Sequence, residues 1–263
     1  MTSTKQAANS PHPLAGKILH GSDAIVQVLA DEGVDTIFGY SGGAILPTYD
    51  AVFRYNEEHQ AADGSAPMPL IVPANEQGAG FMAAGYARAS GKVGVCMVTS
   101  GPGATNTVTP VRDCMADSIP IIVICGQVPT TNIGTDAFQE APVSSTLGSV
   151  AKHVFLVTKP EQLEATIRTA FEIARSGRPG PVVIDVPKDV QNWEGVFSGA
   201  GTLAVPGFRQ RISAIEKNLL EDNECEAFFD LLKQSKRPLI YAGGGVISAC
   251  LLYTSDAADD SLR

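Results

Sequence analysis

"VGVCMVTSGPGATN", Val93 to Asn106, opens with an apolar run that shows no polar alternation and then breaks at a turn of Gly and Pro. A strand with one wet face alternates with a period of two, so an unbroken apolar run of this length reads as a strand covered on both faces. "PIIVICG" (Pro120–Gly126), "HVFLVT" (His153–Thr158) and "PVVIDV" (Pro181–Val186) repeat the pattern, and "DTIFGY" (Asp35–Tyr40) and "PLIV" (Pro69–Val72) are shorter versions of it. Helical spacing separates several of them. "GSDAIVQVLADEGV" carries Ser22 as N-cap, Ile25, Val28, Leu29 and Glu32 on helical periods, and Gly33 as the stop. Further helices are predicted over Ala44–Asn56, from Glu76 onward, over Gly103–Met115 and over Glu161–Ser176. Strand, helix, strand order with doubly buried strands demands a mostly parallel sheet with right-handed crossovers, that is, a doubly wound α/β domain over residues 16–190.

Outside that domain the texture changes. Residues 1–15 are polar, rich in Ser, Thr and Ala, with no apolar core of the kind a secretory signal needs, and read as a disordered lead-in. Residues 191–210 are rich in Gly and read as a linker. "ECEAFFDLLKQSKRPLIYAGGGV" then restarts a helix and strand pattern, the start of a second α/β domain over 211–249.

A chain of 263 residues with 44% hydrophobic and 18% charged residues has the composition of an ordinary globular protein with a sizeable core. Its net charge of −9 opposes a nucleic-acid backbone or an anionic membrane as the main partner, since either would repel it. The longest strongly apolar stretch, Ile119–Cys125, is far too short to cross a bilayer. Five scattered cysteines without a CxxC pattern read as reduced, structural thiols of a cytoplasmic protein, and four scattered histidines give no metal site.

In a fold of this class ligands gather where strand ends run into helices. Those positions are "GYSGGA" (Gly39–Ala44), "PANEQGAG" (Pro73–Gly80), "TSGPGATN" (Thr99–Asn106) and "GQVPTTNIGTDAFQE" (Gly126–Glu140). Each feature also has a plain structural reading. Gly42 and Gly43 serve equally as a tight turn, or let a main-chain carbonyl approach a planar ring closely. "SGPGATN" is a Gly-rich turn without the full dinucleotide pattern. Gln139, Lys188 and Arg178 are ordinary surface residues when taken singly. Glu76 fits the first turn of a helix, where exposed amides favour an acid. The small residues after it, Ala79, Gly80, Ala83, Ala84 and Ala87, form a face suited to close packing against a helix or a subunit. A carboxyl pinned at that junction is partly desolvated, which favours its neutral, proton-donating form.

"NEQGAGFMAAGYARASGKVGVCMVTSGPGATN", with "DSIPIIVICGQVP", "IGTDAFQE" and "SGRPGPVVIDVPKDV", closely resembles the N-terminal part of the large catalytic subunit in the acetolactate synthase family of thiamine-diphosphate enzymes. The resemblance runs nearly continuously from His20 to Val190, and "RPLIYAGGGV" looks like the start of that family's middle, flavin-binding domain. It implies that Glu76 hydrogen-bonds N1′ of the cofactor's aminopyrimidine ring, assisting removal of the thiazolium C2 proton. It implies too that the loop of Tyr40, Gly42 and Gly43 approaches that ring, that Phe138, Gln139 and Lys188 line the substrate side, and that Arg178 contacts FAD. The substrates would be pyruvate and a second 2-ketoacid such as 2-ketobutyrate, in a homodimer or tetramer, with a small regulatory subunit as a possible partner. Mg2+ and the diphosphate would be held by a third domain supplied by another subunit, so this chain alone would be half a site and inactive. Ser41 and Asn75 depart from the family, which commonly has Pro and His there. Relatives such as glyoxylate carboligase or sulfoacetaldehyde acetyltransferase, and a non-catalytic dimer-forming regulatory module, are the alternatives. "CLLYTSDAADD" (Cys250–Asp260) resembles a translated sequencing adapter, so residues 250–263 are expected to be non-native.

Overall fold

A computed structural model describes residues 11–217 and 221–248. Lead-in residues 1–10 and the tail 250–263 lie outside the described residues. The chain divides into a compact unit, Pro11–Ile212, and a second unit from Ser213 onward.

Chain order in the first unit is β1 (Ile18–His20), α1 (Gly21–Asp31), β2 (Ile37–Tyr40), α2 (Leu46–Glu58), β3 (Leu70–Ile71), α3 (Glu76–Ser90), β4 (Gly94–Val98), α4 (Pro102–Thr105) and α5 (Val108–Asp117). There follow β5 (Ile121–Gln127), α6 (Val143–Gly148), β6 (His153–Leu156), α7 (Leu163–Arg175), β7 (Val182–Pro187), α8 (Lys188–Asn192) and β8 (Glu194–Val196), and α9 (Phe208–Lys217) begins in it. Six strands form one sheet in the order β3-β2-β4-β5-β7-β6, and every pairing is parallel. Parallelism puts all the strand-to-helix loops on one edge.

The unbroken apolar runs are explained by the two layers that cover them. Val95, Met97, Ile122, Ile124, Val182 and Ile184 face Ile25, Leu29, Val52, Ile167 and Phe171 of α1, α2 and α7. Cys96, Val98, Ile121, Val123, Cys125 and Val183 face the small side chains of α3 together with Val111 and Leu147 of α5 and α6. The small-residue face of α3 is therefore used inside the chain. A Cβ on Gly94 would come within 2.2 Å of the Ala83 carbonyl oxygen, and one on Gly80 within 2.5 Å of Pro110. Only glycine at these points lets α3 lie so close to β4 and α5.

Several boundaries differ from the sequence expectation for identifiable reasons. α1 starts at Gly21, not after Ser22, and Ser22 is buried without capping it. Gly21 is pressed against Val190, where a Cβ would lie 2.1 Å from the carbonyl oxygen, so a tertiary contact fixes the helix entry. The helix expected over Gly103–Met115 is two helices, α4 and α5. Pro110 lacks the N–H that a continuous helix would bond to the carbonyl of Asn106, while in the first turn of α5 it is tolerated. Of the linker stretch, β8 pairs antiparallel with β1, and Phe197 and Phe208 are buried in the core.

In the second unit α10 (Asp222–Gln234) begins with a capping box between Glu221 and Glu224, and α11 (Gly244–Ser248) follows. The strand expected in "RPLIY" is not formed: Leu239, Ile240 and Tyr241 are largely exposed. An apolar strand of that kind needs ladder partners and cover on both faces, and none is present among the described residues. Among the described residues no helix is long and apolar enough to cross a membrane.

Candidate active site

The carboxyl-end edge of the sheet gathers the four Gly-rich loops, and Glu76 stands in the middle of them. It is the first residue of α3, entered from the short strand β3. Asn75 is the N-cap, its side-chain oxygen accepting from the Gly78 amide at 2.8 Å, so the departure at position 75 serves the helix start. Glu76 is 9% exposed. Its Oε2 accepts a hydrogen bond from Asn106 Nδ2 at 2.9 Å, and Oε1 accepts none among the described residues. Gly103 lies above the free oxygen, where a Cβ would sit 3.5 Å from Oε1. Burial pushes up the Cys96 thiol and the Tyr49 hydroxyl, and the Glu76 charge pushes them further.

The loop of Tyr40, Ser41, Gly42 and Gly43 leaves β2, which neighbours β4. Gly42 is flush against Thr99, 2.6 Å from where its Cβ would be, whereas Gly43 has open space on the equivalent side. The loop end is clamped: Thr99 Oγ1 accepts from the Ala44 amide at 3.3 Å, and Gln191 Nε2 donates to the Ala44 carbonyl at 2.7 Å. Gln191 is fully buried, and its Oε1 accepts from Thr48 Oγ1 at 2.9 Å.

The segment between β5 and α6, residues 128–142, carries Phe138 and Gln139. Its backbone docks on the neighbouring turn, since a Cβ on Gly101 would lie 2.5 Å from the Gln139 carbonyl oxygen. Gln139 has φ +58°, a left-handed conformation uncommon for a side-chain-bearing residue and concentrated at functional sites. The amides of Gly134 and Ala137 donate to the Glu140 carboxylate, holding it below the usual carboxylate range. Phe138 is 89% exposed.

Tyr40, Gly42, Gly43, Glu76, Phe138 and Gln139 are thus brought to one edge. Lys188 follows β7 at the same edge but opens onto a depression shared with His20, Arg54 and Asn192. Arg178 is not brought to that edge. It precedes β7 and donates to Ser118 Oγ and to the carbonyls of Met115 and Ala116, at the end of α5 from which β5 starts. The length of β5 separates it from the Glu76 edge, about 20 Å for a strand of this size. Asn106, Thr99 and Gln191 were not singled out from sequence. Asn106 closes the quoted "TSGPGATN" turn, but nothing in its spacing reveals that it reaches a carboxyl 30 positions earlier.

A shielded carboxyl with one oxygen fixed and the other free, beside glycine backbone with no side chain over it, fits the edge of an aminopyrimidine, which offers a ring nitrogen and an amino group. Residues 19–147 match the family described as "Thiamine pyrophosphate enzyme, N-terminal TPP binding domain". Residues 19–147 thus carry that N-terminal domain. The chain is 44% identical over 258 residues to the acetolactate synthase large subunit of Parasynechococcus marenigrum (strain WH8102), covering 97% of the chain and 38% of the relative. It is 42% identical over 229 residues to the chloroplastic acetolactate synthase of Arabidopsis thaliana, covering 87% of the chain and 32% of that protein. The acetolactate synthase of Mycobacterium bovis (strain ATCC BAA-935 / AF2122/97) matches at 42%, with 87% of the chain and 34% of the relative covered. The chain spans about a third of the length of these curated relatives.

Proposed function

We propose that the chain forms the aminopyrimidine side of an acetolactate synthase active site. The observation that carries this reading is Glu76, buried at the carboxyl edge of the sheet with Oε2 held by Asn106 and Oε1 free. When bound, thiamine diphosphate supplies the carbon nucleophile that cleaves carbon dioxide from pyruvate and joins the remaining two-carbon unit to a second 2-ketoacid, pyruvate or 2-ketobutyrate.

Glu76 would hold a proton toward a ring nitrogen of the aminopyrimidine, and the Asn106 amide would keep the carboxyl from rotating away. The Tyr40–Gly43 loop would bring main-chain groups against the ring, with Gln191 and Thr99 fixing its far end. Phe138 and Gln139 face the substrate, with Lys188 at the rim as a cation for a ketoacid carboxylate. Arg178 is assigned to FAD, on the opposite edge. Mg2+ is assigned to residues outside this chain, as the resemblance implies. Exposed Ile71, Val72, Phe81 and Met82 along β3 and α3 suit a subunit contact in a homodimer or tetramer, to which a small regulatory subunit could add. In this reading 16–190 is the pyrimidine-binding domain, 191–210 the connection and 211–249 the start of a flavin-binding domain, in a cytoplasmic enzyme.

The test is Glu76→Gln in a subunit completed with the downstream domains. Exchange of the cofactor C2 proton, followed by NMR, should slow by about 100-fold or more. Exchange at the unmodified rate would remove Glu76 from the chemistry. The 263-residue chain alone should form no acetolactate, and formation by it would overturn the half-site.

A further inference from the structure

Asp185 is a carboxyl that the proposed mechanism leaves unused, and it is placed at the root of the substrate-side segment. It lies near the end of β7, 2% exposed, opposite Cys125 of β5 and Leu156 of β6. Its Oδ2 accepts from Gln127 Nε2 at 3.0 Å, while Oδ1 is buried and without a hydrogen-bond partner among the described residues. The same Gln127 nitrogen donates to the Ala141 carbonyl at 3.1 Å, and Gln127 Oε1 accepts from the Val128 amide at 2.9 Å. One buried amide therefore ties together both ends of the 128–142 segment and the carboxyl beneath it.

Among the described residues the surroundings hold no countercharge. β5 presents Cys125, whose thiol is pushed well up by burial and then by Asp185 itself. β6 presents Val154 and Leu156, and α6 covers the layer with Val143 and Leu147. α6 carries no charged residue. An ionised carboxyl here leaves a bare Oδ1 in an apolar layer, and an unpaired buried charge is relieved by letting water in or moving the cover aside.

We infer that Asp185 and Gln127 are positioning residues forming a proton-dependent latch, which seats residues 128–148 on the sheet while the Asp185 carboxyl is neutral and loosens them when it ionises. Its link to substrate rests on the reading that Phe138 and Gln139 face the ketoacid; the latch itself does not. Burial raises the Asp185 carboxyl to about 7, the Gln127 hydrogen bond opposing the rise. With the segment lifted and the group in water, the ordinary value near 3.8 returns. The opening equilibrium then rises about tenfold per pH unit between those two values and levels off above the upper one.

Hydrogen exchange of the amides of residues 139–148 in the 263-residue chain, corrected for intrinsic rates between pH 4.5 and 8, reads this directly. Protection should fall steeply to about pH 7 and flatten, while the amides of β4 and β5 keep theirs as an internal control. Asp185→Asn, the neutral isostere, should abolish the slope, and Gln127→Met should leave the segment loosened at every pH. A flat profile in the unmodified chain, the same slope in Asp185→Asn, or full protection in Gln127→Met would overturn the latch. Should either variant fail to fold, a carbon-13 titration of Asp185 in the unmodified chain decides, a midpoint in the ordinary carboxylate range refuting it. If the latch is found but Phe138 and Gln139 can be changed without effect on pyruvate turnover in the completed subunit, the functional reading fails and the latch stands.

Discussion

At the scale of single residues, Glu76 was legible because a strand end followed by an acid and a run of small residues marks both the start of a helix and the edge where ligands sit. Its partners were not legible. Asn106 is 30 positions away, and the Gln191 amide that clamps Ala44 is 147 positions away, so only the folded sheet brings them together. Asp185 was hidden for a different reason: inside "PVVIDV" it passes for one polar interruption of a strand, and its burial depends on α6 covering it. That burial has a global consequence with a definite sign. The native state holds a proton on Asp185 up to about pH 7, whereas the unfolded chain releases it near 3.8. Stability from this group is thus greatest in acid and is lost as pH rises through that window. Urea unfolding should show the unmodified chain losing about 2 kcal/mol more than Asp185→Asn between pH 5 and pH 7. Equal losses in the two proteins would mean that the carboxyl is already ionised in the native state.

At the scale of elements, the strands were read correctly wherever an apolar run is covered on both faces, because that cover writes itself into consecutive residues. β1 and β8 left no such trace. Three-residue strands, exposed on alternate positions, carry too few apolar side chains to register. The break between α4 and α5 was missed although Pro110 announces it, since a proline in the first turn of one helix looks the same as a proline inside a longer one. Arg178 was singled out through the resemblance alone, and its local role became visible only in the fold: its guanidinium satisfies the carbonyls left open at the end of α5. The contact of α3 with β4 is where a small change should matter most. Gly94→Ala places a methyl 2.2 Å from the Ala83 carbonyl oxygen, and because backbone is struck, α3 must move off the sheet. A loss of about 1–3 kcal/mol, read as a lowered unfolding midpoint, is the expected result. An unchanged midpoint would show that the helix and the strand are not in contact at this point.

At the scale of the whole molecule, the parallel sheet turns scattered sequence motifs into one rim: six strands running the same way deliver every strand-end loop to the same side, whatever the loops contain. The proposed chemistry depends on that delivery, and the proposal assigns the face that completes it to the two thirds of its relatives' length that this chain does not span. The pairing of β1 with β8 has a separate implication for how the first unit can be assembled. Ile18 lies beside Val196, so the entry and exit of the sheet domain are neighbours in space although nearly 180 positions separate them. Fusing the two ends through a short flexible bridge and reopening the chain in the exposed turn around Gly64 should give a circular permutant with an unaltered far-ultraviolet spectrum and cooperative melting. A permutant that collapses instead would mean that chain continuity from residue 59 to residue 67 is needed for the domain to fold at all.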